Sequence, residues 1–179
     1  MRMKLIMAVG GIVAVLVPAA QAQPMLQRGT NELSVHISPD FEGAVGDMIF
    51  AQAGYGRLVR DGVELRGLVS YTILEDVAGE DSDYRTSEIG LAGEYHFSRG
   101  GRLVPYLGAG VGWRSTHFGE LEESALVYGP RAGLQLFIVD NAAVDLEVTY
   151  KLGSADVFIN DFVPEDSDLS TSIGFRVFF

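Results

Sequence analysis

The last twelve residues of the chain, Asp168 to Phe179, alternate between apolar and polar side chains. A repeat of two residues is that of a β-strand, because successive side chains of a strand point to opposite faces. Thr171 is the one mild exception on the apolar face. The apolar positions are Leu169, Ile173, Phe175, Val177 and Phe179. The chain therefore ends in a strand with one face that must be covered by a core or by lipid.

The same alternation recurs seven times upstream and predicts strands at about 30–37, 48–59, 63–73, 85–97, 103–113, 126–138 and 144–152. No segment outside the N-terminus shows a helical pattern. The connections alternate in length. Short ones lie near Asp61, Gly100 and Asn141, and longer ones near Glu42, Glu80, Glu120 and Phe162. Short turns alternating with long loops are typical of up-and-down outer-membrane barrels.

A soluble barrel would turn the apolar face inward and leave a bulky, charged face in water. Here the other face is rich in glycine, which suits the crowded interior of a narrow barrel: Gly54, Gly56, Gly90, Gly108, Gly110, Gly112, Gly133 and Gly174. Most aromatic residues of the apolar face lie near strand ends, as in the aromatic girdles of membrane barrels. The predicted fold is all-β, an eight-stranded antiparallel up-and-down transmembrane β-barrel that closes because lipid excludes an open sheet edge.

Residues 1–22 have the composition of a secretory signal. Arg2 and Lys4 precede an apolar core from Leu5 to Val17, and Ala20-Gln21-Ala22 supplies small residues for cleavage. We expect export by the Sec pathway and a barrel domain at 23–179, with both termini in the periplasm. The alternative, a single membrane anchor, requires a longer apolar run. The chain has no Cys, which excludes lipoprotein anchoring, disulfides and thiolate metal sites.

After cleavage the chain keeps 24 acidic residues and loses two of its 13 basic ones, so its formal charge is −13. Nucleic-acid binding is therefore not expected. Sixteen of the acids fall in the longer loops, and those loops contain no Lys or Arg. The simplest interpretation is a solvated, repulsive surface. The alternative is binding of divalent cations, with Asp76, Glu80, Asp81 and Asp83 as candidate ligands that could bridge to lipopolysaccharide phosphates, although the spacing is not that of an EF-hand.

The alternation also places charged side chains of both signs in the lumen. Charges in a narrow interior must pair or stay hydrated, so we expect a salt-bridge network that plugs the barrel. The predicted network is Glu32, Glu64, Arg66, Glu88, Glu94, Arg114, Arg131, Asp145, Glu147, Lys151 and Arg176. A narrow channel for ions or small solutes, porin-like in function, is the alternative if the network can open.

Catalysis is not expected. His96-Phe97-Ser98 beside Glu94 superficially resembles the motif of lipid A deacylases, in which His, Ser and a carboxylate act together. However, Arg99 follows where that family has Asn, and the motif precedes a turn predicted to be periplasmic. No cofactor is predicted.

The signal peptide, the eight amphipathic strands, the sequence PYLGAGVGW at Pro105 to Trp113 and the terminal Phe179 together resemble the small outer-membrane β-barrel family that includes OmpA-type, OmpX-type and opacity-type proteins. The resemblance implies a monomer in the Gram-negative outer membrane, in contact with lipid and lipopolysaccharide. It also implies that the barrel-assembly machinery recognises Phe179. The fold does not specify function, and we expect a structural or surface-interaction role.

Overall fold

The computed structural model describes residues 26–40, 47–75, 84–97, 101–118, 121–160 and 163–179. Within these residues no helix is long and apolar enough to cross a membrane. The predicted signal peptide and the four candidate loop carboxylates Asp76, Glu80, Asp81 and Asp83 lie outside them. The strands are β1 (Asn31–Asp40), β2 (Asp47–Arg60), β3 (Val63–Glu75), β4 (Tyr84–His96), β5 (Leu103–Phe118), β6 (Leu121–Val139), β7 (Ala142–Gly153), β8 (Phe158–Asn160), β9 (Val163–Glu165) and β10 (Ser167–Phe178).

Eight of these strands form one closed antiparallel barrel in the order β1-β10-β7-β6-β5-β4-β3-β2. The predicted closure is confirmed, because β10 pairs with β1 and places Leu33 opposite Val177 and Val35 opposite Phe175. Asn31 and Phe179 exchange two backbone hydrogen bonds of 2.7 and 2.9 Å at the chain end. The predicted up-and-down barrel is therefore the fold of the chain.

The prediction of a long connection near Glu120 is wrong, because the two strands on either side of it are longer than expected. β5 continues to Phe118 and β6 begins at Leu121, with His117 opposite Glu122. β5 stays paired with β4 as far as Phe118 opposite Tyr84, whereas the pairing of β6 with β7 begins at Val127 opposite Gly153. The start of β6 is therefore held by β5 alone, since each strand of an antiparallel pair satisfies hydrogen bonds of the other. A second difference lies between β7 and β10, where β8 and β9 pair as a small separate sheet that the sequence pattern did not indicate.

The outer face of the barrel is apolar and its inner face is polar and charged, which is the reverse of the arrangement in a soluble protein. Outward side chains such as Leu169 are apolar and exposed, to 70% in that case, whereas the inward Arg176 is fully buried. The outward aromatic residues are likewise exposed: Tyr55, Tyr71, Tyr95, Phe97, Trp113, Tyr128, Tyr150, Phe175 and Phe179. Such a large exposed apolar surface requires a lipid environment.

Two inward glycines make room for rings from the neighbouring strand. Gly174 is the cross-strand partner of His36, and a Cβ at Gly174 would overlap the imidazole. Gly133 is the partner of Tyr106, and a Cβ there would overlap the phenol ring. The glycine-rich inward face thus accommodates large polar side chains in a narrow lumen.

An apolar cluster lies in the lumen at the end that carries the short turns. Phe137 and Phe178 are fully buried there and stack with ring centroids 5.4 Å apart. Leu26, which precedes the first strand, packs against them and accepts a backbone hydrogen bond from Gly62 at 3.1 Å. The remaining members of this cluster, which we call the apolar plug, are Leu58, Val104 and Ala143.

We expect Phe137→Ala to destabilise the folded barrel by about 3–5 kcal/mol, because it leaves a cavity in the apolar plug. Phe175→Ala is the matched control, since lipid can fill the space left by an outward phenylalanine and a smaller loss should result. Urea unfolding in phospholipid vesicles, followed by fluorescence of Trp113, the single Trp, measures both. Equal losses in the two variants would contradict a packed plug.

Candidate functional site

The structure places all eleven residues of the predicted charge network on the inward face of the barrel. Nine of them are buried, and Glu88 and Lys151 are half-buried. They come from every barrel strand except β2. The network divides into a central cluster around Arg176 and a smaller group around Glu88.

Arg176 is the centre of the network. Its Nη1 lies 3.0 Å from Glu32 Oε2 and 2.8 Å from Glu94 Oε2, and its Nη2 lies 3.0 Å from Asp145 Oδ2. The guanidinium also lies over the Tyr106 ring at 4.6 Å. One side chain on β10 therefore joins carboxylates from β1, β4 and β7, which are distant in sequence.

Glu94 binds the other two arginines of the central cluster. Its Oε1 lies 2.6 Å from Arg66 Nη1 and 3.4 Å from Arg131 Nε. Arg131 also donates to Glu147 at 2.5 Å. Three guanidinium groups thus surround one fully buried carboxylate, which offsets the large desolvation cost of each charge.

Three residues of the central cluster were absent from the predicted network: His36, His96 and Tyr106. His36 Nε2 lies 2.6 Å from Asp145 Oδ2, and His96 Nε2 lies 2.9 Å from Glu64 Oε2. The Tyr106 hydroxyl lies 3.0 Å from Asp145 and 2.8 Å from Glu147. All three lie on the inward face by the same alternation, so a list based on polarity instead of formal charge would have included them.

The second group lies towards the long-loop end. Lys151 Nζ lies 2.7 Å from both carboxylate oxygens of Glu88, and Arg114 Nη2 lies 3.0 Å from Glu88 Oε2. Arg114 also packs its guanidinium over the Phe158 ring at 4.4 Å. Two cations therefore share one carboxylate beneath an aromatic side chain.

Phe158 and Val157 cover the lumen at this end. Both are buried, and they pack with Ala125 and Val127. Thr116 donates a hydrogen bond of 2.9 Å to the Val157 carbonyl. Beneath Phe158 lies a polar cavity of about 110 Å³, which we call the upper cavity. Its lining comprises Ser38, Phe50, Gln52, Thr72, Arg114, Glu147, Thr149, Lys151, Phe158, Asp168, Ser170, Thr171 and Ser172.

In the part of the chain that the structure describes, two groups of three side chains have the donor types and spacing of metal ligands. They are His36 with Asp145 and Glu147, and His96 with Glu64 and Glu94, and the ligand atoms of each group lie within 4.8 Å of one another. In both groups the carboxylates already face Arg176. A cation there would lie against a guanidinium, so the geometry is that of ion pairs.

The structure gives no support to a catalytic role for His96 and Glu94. His96 is buried against Glu64, and Glu94 is enclosed by three arginines. Ser98 lies outside the described residues.

A closed sheet with an apolar exterior and a paired, charged interior defines a membrane β-barrel. Comparison with solved structures shows which membrane barrels have a similar fold. The chain is similar to neisserial surface protein A, with a TM-score of 0.61 and 15% identity over 84% of this chain and 96% of that one. It is similar to the N-terminal β-barrel domain of Pseudomonas aeruginosa OprF, with a TM-score of 0.56 and 17% identity over 85% and 98%.

The chain is also similar to the Yersinia pestis outer membrane protein Ail in a phospholipid nanodisc, with a TM-score of 0.54 and 14% identity over 85% and 100% of the two chains. No protein-family model and no curated protein matches the sequence. The chain therefore has the fold of the small eight-stranded outer-membrane β-barrels, and the predicted recognition of that fold is confirmed.

We expect Arg176→Met to destabilise the barrel by about 3–5 kcal/mol, because it leaves buried carboxylates without their main partner. Adding Glu94→Gln to this variant should recover part of the loss, since it removes one uncompensated charge. Arg57→Met, on an exposed arginine of β2, is the control and should change stability by less than about 1 kcal/mol. Urea unfolding in vesicles measures all three, and no loss in Arg176→Met would exclude Arg176 as the centre of the network.

Proposed function

We propose that the protein is an integral outer-membrane barrel of structural and surface-interaction type, with a plugged lumen and an acidic extracellular surface. The long connections would face the exterior, and the short turns and both termini would face the periplasm. The observation that supports this proposal is the packing of the interior. The ion pairs around Arg176 lie between the apolar plug at one end and Phe158 with Val157 at the other.

The energetics of the interior support a lumen that stays closed. Opening it along the axis would separate the fully buried Arg176 from three carboxylates and would also displace Phe137 and Phe178. Separating buried ion pairs without replacing their partners is strongly unfavourable. A general diffusion pore would need a wider barrel, because eight strands leave room only for side chains.

Acidic side chains at the long-loop end support a role at the cell surface. The described residues there include five exposed acids, Glu122, Glu123, Asp156, Glu165 and Asp166. Arg28, Arg57 and Arg60 are exposed at the other end. Such a surface repels other acidic surfaces and suits divalent cations that bridge to lipopolysaccharide phosphates. Outer-membrane lipid and lipopolysaccharide are therefore the proposed partners of a monomer, without catalysis and without a cofactor.

The second candidate function is a narrow channel for ions or small solutes, and the upper cavity is the observation that favours it. The cavity shows that the outer half of the lumen is not completely filled. However, conduction would still require passage through both the Arg176 cluster and the apolar plug. We therefore favour the structural and surface role.

We expect the purified barrel to show no stable conductance in planar lipid bilayers, because the ion pairs around Arg176 and the apolar plug both lie across the lumen. Phe137→Ala should remain equally closed, since the Arg176 cluster persists in that variant. The experiment records single channels over a range of voltages, with an established porin as the positive control. Long-lived openings of the unmodified protein would favour the channel instead.

Phe179 is the proposed assembly signal, and its backbone and ring can be tested separately. Phe179→Ala keeps the two backbone hydrogen bonds to Asn31 and removes only the exposed ring, whereas deletion of the residue removes both. We expect Phe179→Ala to reduce outer-membrane insertion in cells while refolding into detergent micelles in vitro remains normal. Heat-modifiable migration on gels reads out both. Equal defects in cells and in vitro would indicate a purely structural role for the ring.

A further inference from the structure

An apolar groove crosses the outward surface of β2, β3, β4 and β5. Its floor consists of three outward residues with little or no side chain, Gly67, Gly93 and Ala109. Its walls include Leu65 and Leu91, which are apolar and exposed. The groove has a volume of about 590 Å³, and it continues past Gly67 and Leu91 into a second groove of about 740 Å³. The outer surface of the barrel is therefore recessed on this side.

The two outward glycines keep the groove open. A Cβ added at Gly67 would approach only the Tyr55 carbonyl oxygen, at 4.0 Å, and one at Gly93 would approach only Leu65 Cδ2, at 3.7 Å. The inward glycines differ, because rings from neighbouring strands occupy the space beside them. Glycine in a strand interior weakens the strand and often marks the close approach of a ligand or of another backbone. The groove is thus a place where a molecule from outside the barrel can pack closely.

A cation lies at one end of the groove. Arg57 lines it and is exposed on the outward face, three residues before β2 ends at Arg60. No carboxylate pairs with Arg57 among the residues that the structure describes. Arg28 and Arg60 are exposed at the same end, and the acid between them, Asp61, accepts a hydrogen bond of 2.8 Å from the Arg28 backbone N–H. The apolar groove therefore begins at a region of positive charge.

The length of the groove matches one leaflet of a membrane. From Arg57 to Ala53, which lines the second groove, the strand advances about 13 Å at roughly 3.3 Å per residue. Half of an apolar band about 25 Å tall is roughly 12 Å. Arginine near the membrane boundary can extend its guanidinium to the headgroups, where it binds phosphate with two parallel hydrogen bonds. A molecule with an anionic phosphate and an acyl chain therefore matches both parts of the groove.

We propose that this groove binds one anionic glycerophospholipid of the phosphatidylglycerol class. Its phosphate would accept hydrogen bonds from Arg57, and one acyl chain would lie over Gly67 and Gly93, between Leu65 and Leu91. A zwitterionic lipid fits less well, because its ammonium group would lie among the arginines at this end of the barrel. The inference rests on the membrane placement under the proposed function, and the orientation given there places the lipid in the periplasmic leaflet.

The test of the charged end uses the full barrel in phosphatidylcholine nanodiscs that contain a small fraction of phosphatidylglycerol with a photoreactive acyl chain. Crosslinks are mapped by mass spectrometry, and we expect saturable labelling of the groove. Labelling should fall at least about threefold in Arg57→Gln and recover in part in Arg57→Lys. Arg60→Gln is the matched control and should leave labelling unchanged, because Arg60 is exposed at the same end but does not line the groove.

Gly67→Leu tests the apolar part of the groove without a change in charge. The new side chain would occupy open space, so the barrel should still insert, and labelling should fall at least about threefold. Ala132→Leu is the control, since Ala132 is an exposed residue of β6 that does not line either groove. A phosphatidylcholine probe with the same photoreactive chain should label the groove at least about threefold less than the phosphatidylglycerol probe.

Labelling spread evenly over the outward face, or equal labelling by the two headgroups, would overturn the proposal. A stable dimer that Gly67→Leu dissociates would also overturn it, because a second copy of the chain would then occupy the groove. Insertion is measured separately by protease protection and heat-modifiable migration. An inserted barrel without groove labelling excludes only the lipid site, whereas a barrel that does not insert excludes the membrane placement as well.

Discussion

Closure of the sheet is the constraint on which the rest of the structure depends. Lipid cannot hydrogen-bond to an exposed backbone, so every strand in the apolar band needs two partners. The first and last strands must therefore meet, and the paired backbone groups of Asn31 and Phe179 complete that meeting at the chain end. The pairing of β1 with β10 ends at Ile37 opposite Ile173, and the ladder between β6 and β7 is likewise interrupted at Gly129 and Pro130.

Closing eight strands leaves a narrow lumen that side chains largely fill, and this determines which residues the interior can hold. Bulky rings fit because glycine faces them, as Gly174 faces His36 and Gly133 faces Tyr106. Charges are tolerated because each carboxylate of the central cluster lies against a guanidinium or an imidazole. The apolar plug then separates this cluster from the end of the barrel that carries the short turns. The same packing therefore contributes to stability and fills much of the lumen.

The fold alone does not specify what the protein does. The solved barrels compared above share 14–17% identity with this chain, and at that level the likeness concerns architecture. Among the described residues, exposed acids concentrate at the long-loop end, whereas the exposed Arg28, Arg57 and Arg60 lie at the other end.

The sequence by itself determined the number of barrel strands, the closure between the first and last of them and the face on which each residue of the predicted charge network lies. A period of two is a local property, so it can be read without knowing which strands are neighbours. The sequence could not determine which charged side chains pair with one another. Arg176 contacts Glu32, Glu94 and Asp145 because the strand order and the stagger of the barrel bring these residues together. Only the tertiary structure decided that Leu26 completes the apolar plug and that Phe158 packs over the long-loop end of the lumen, since each depends on contacts between segments distant along the chain.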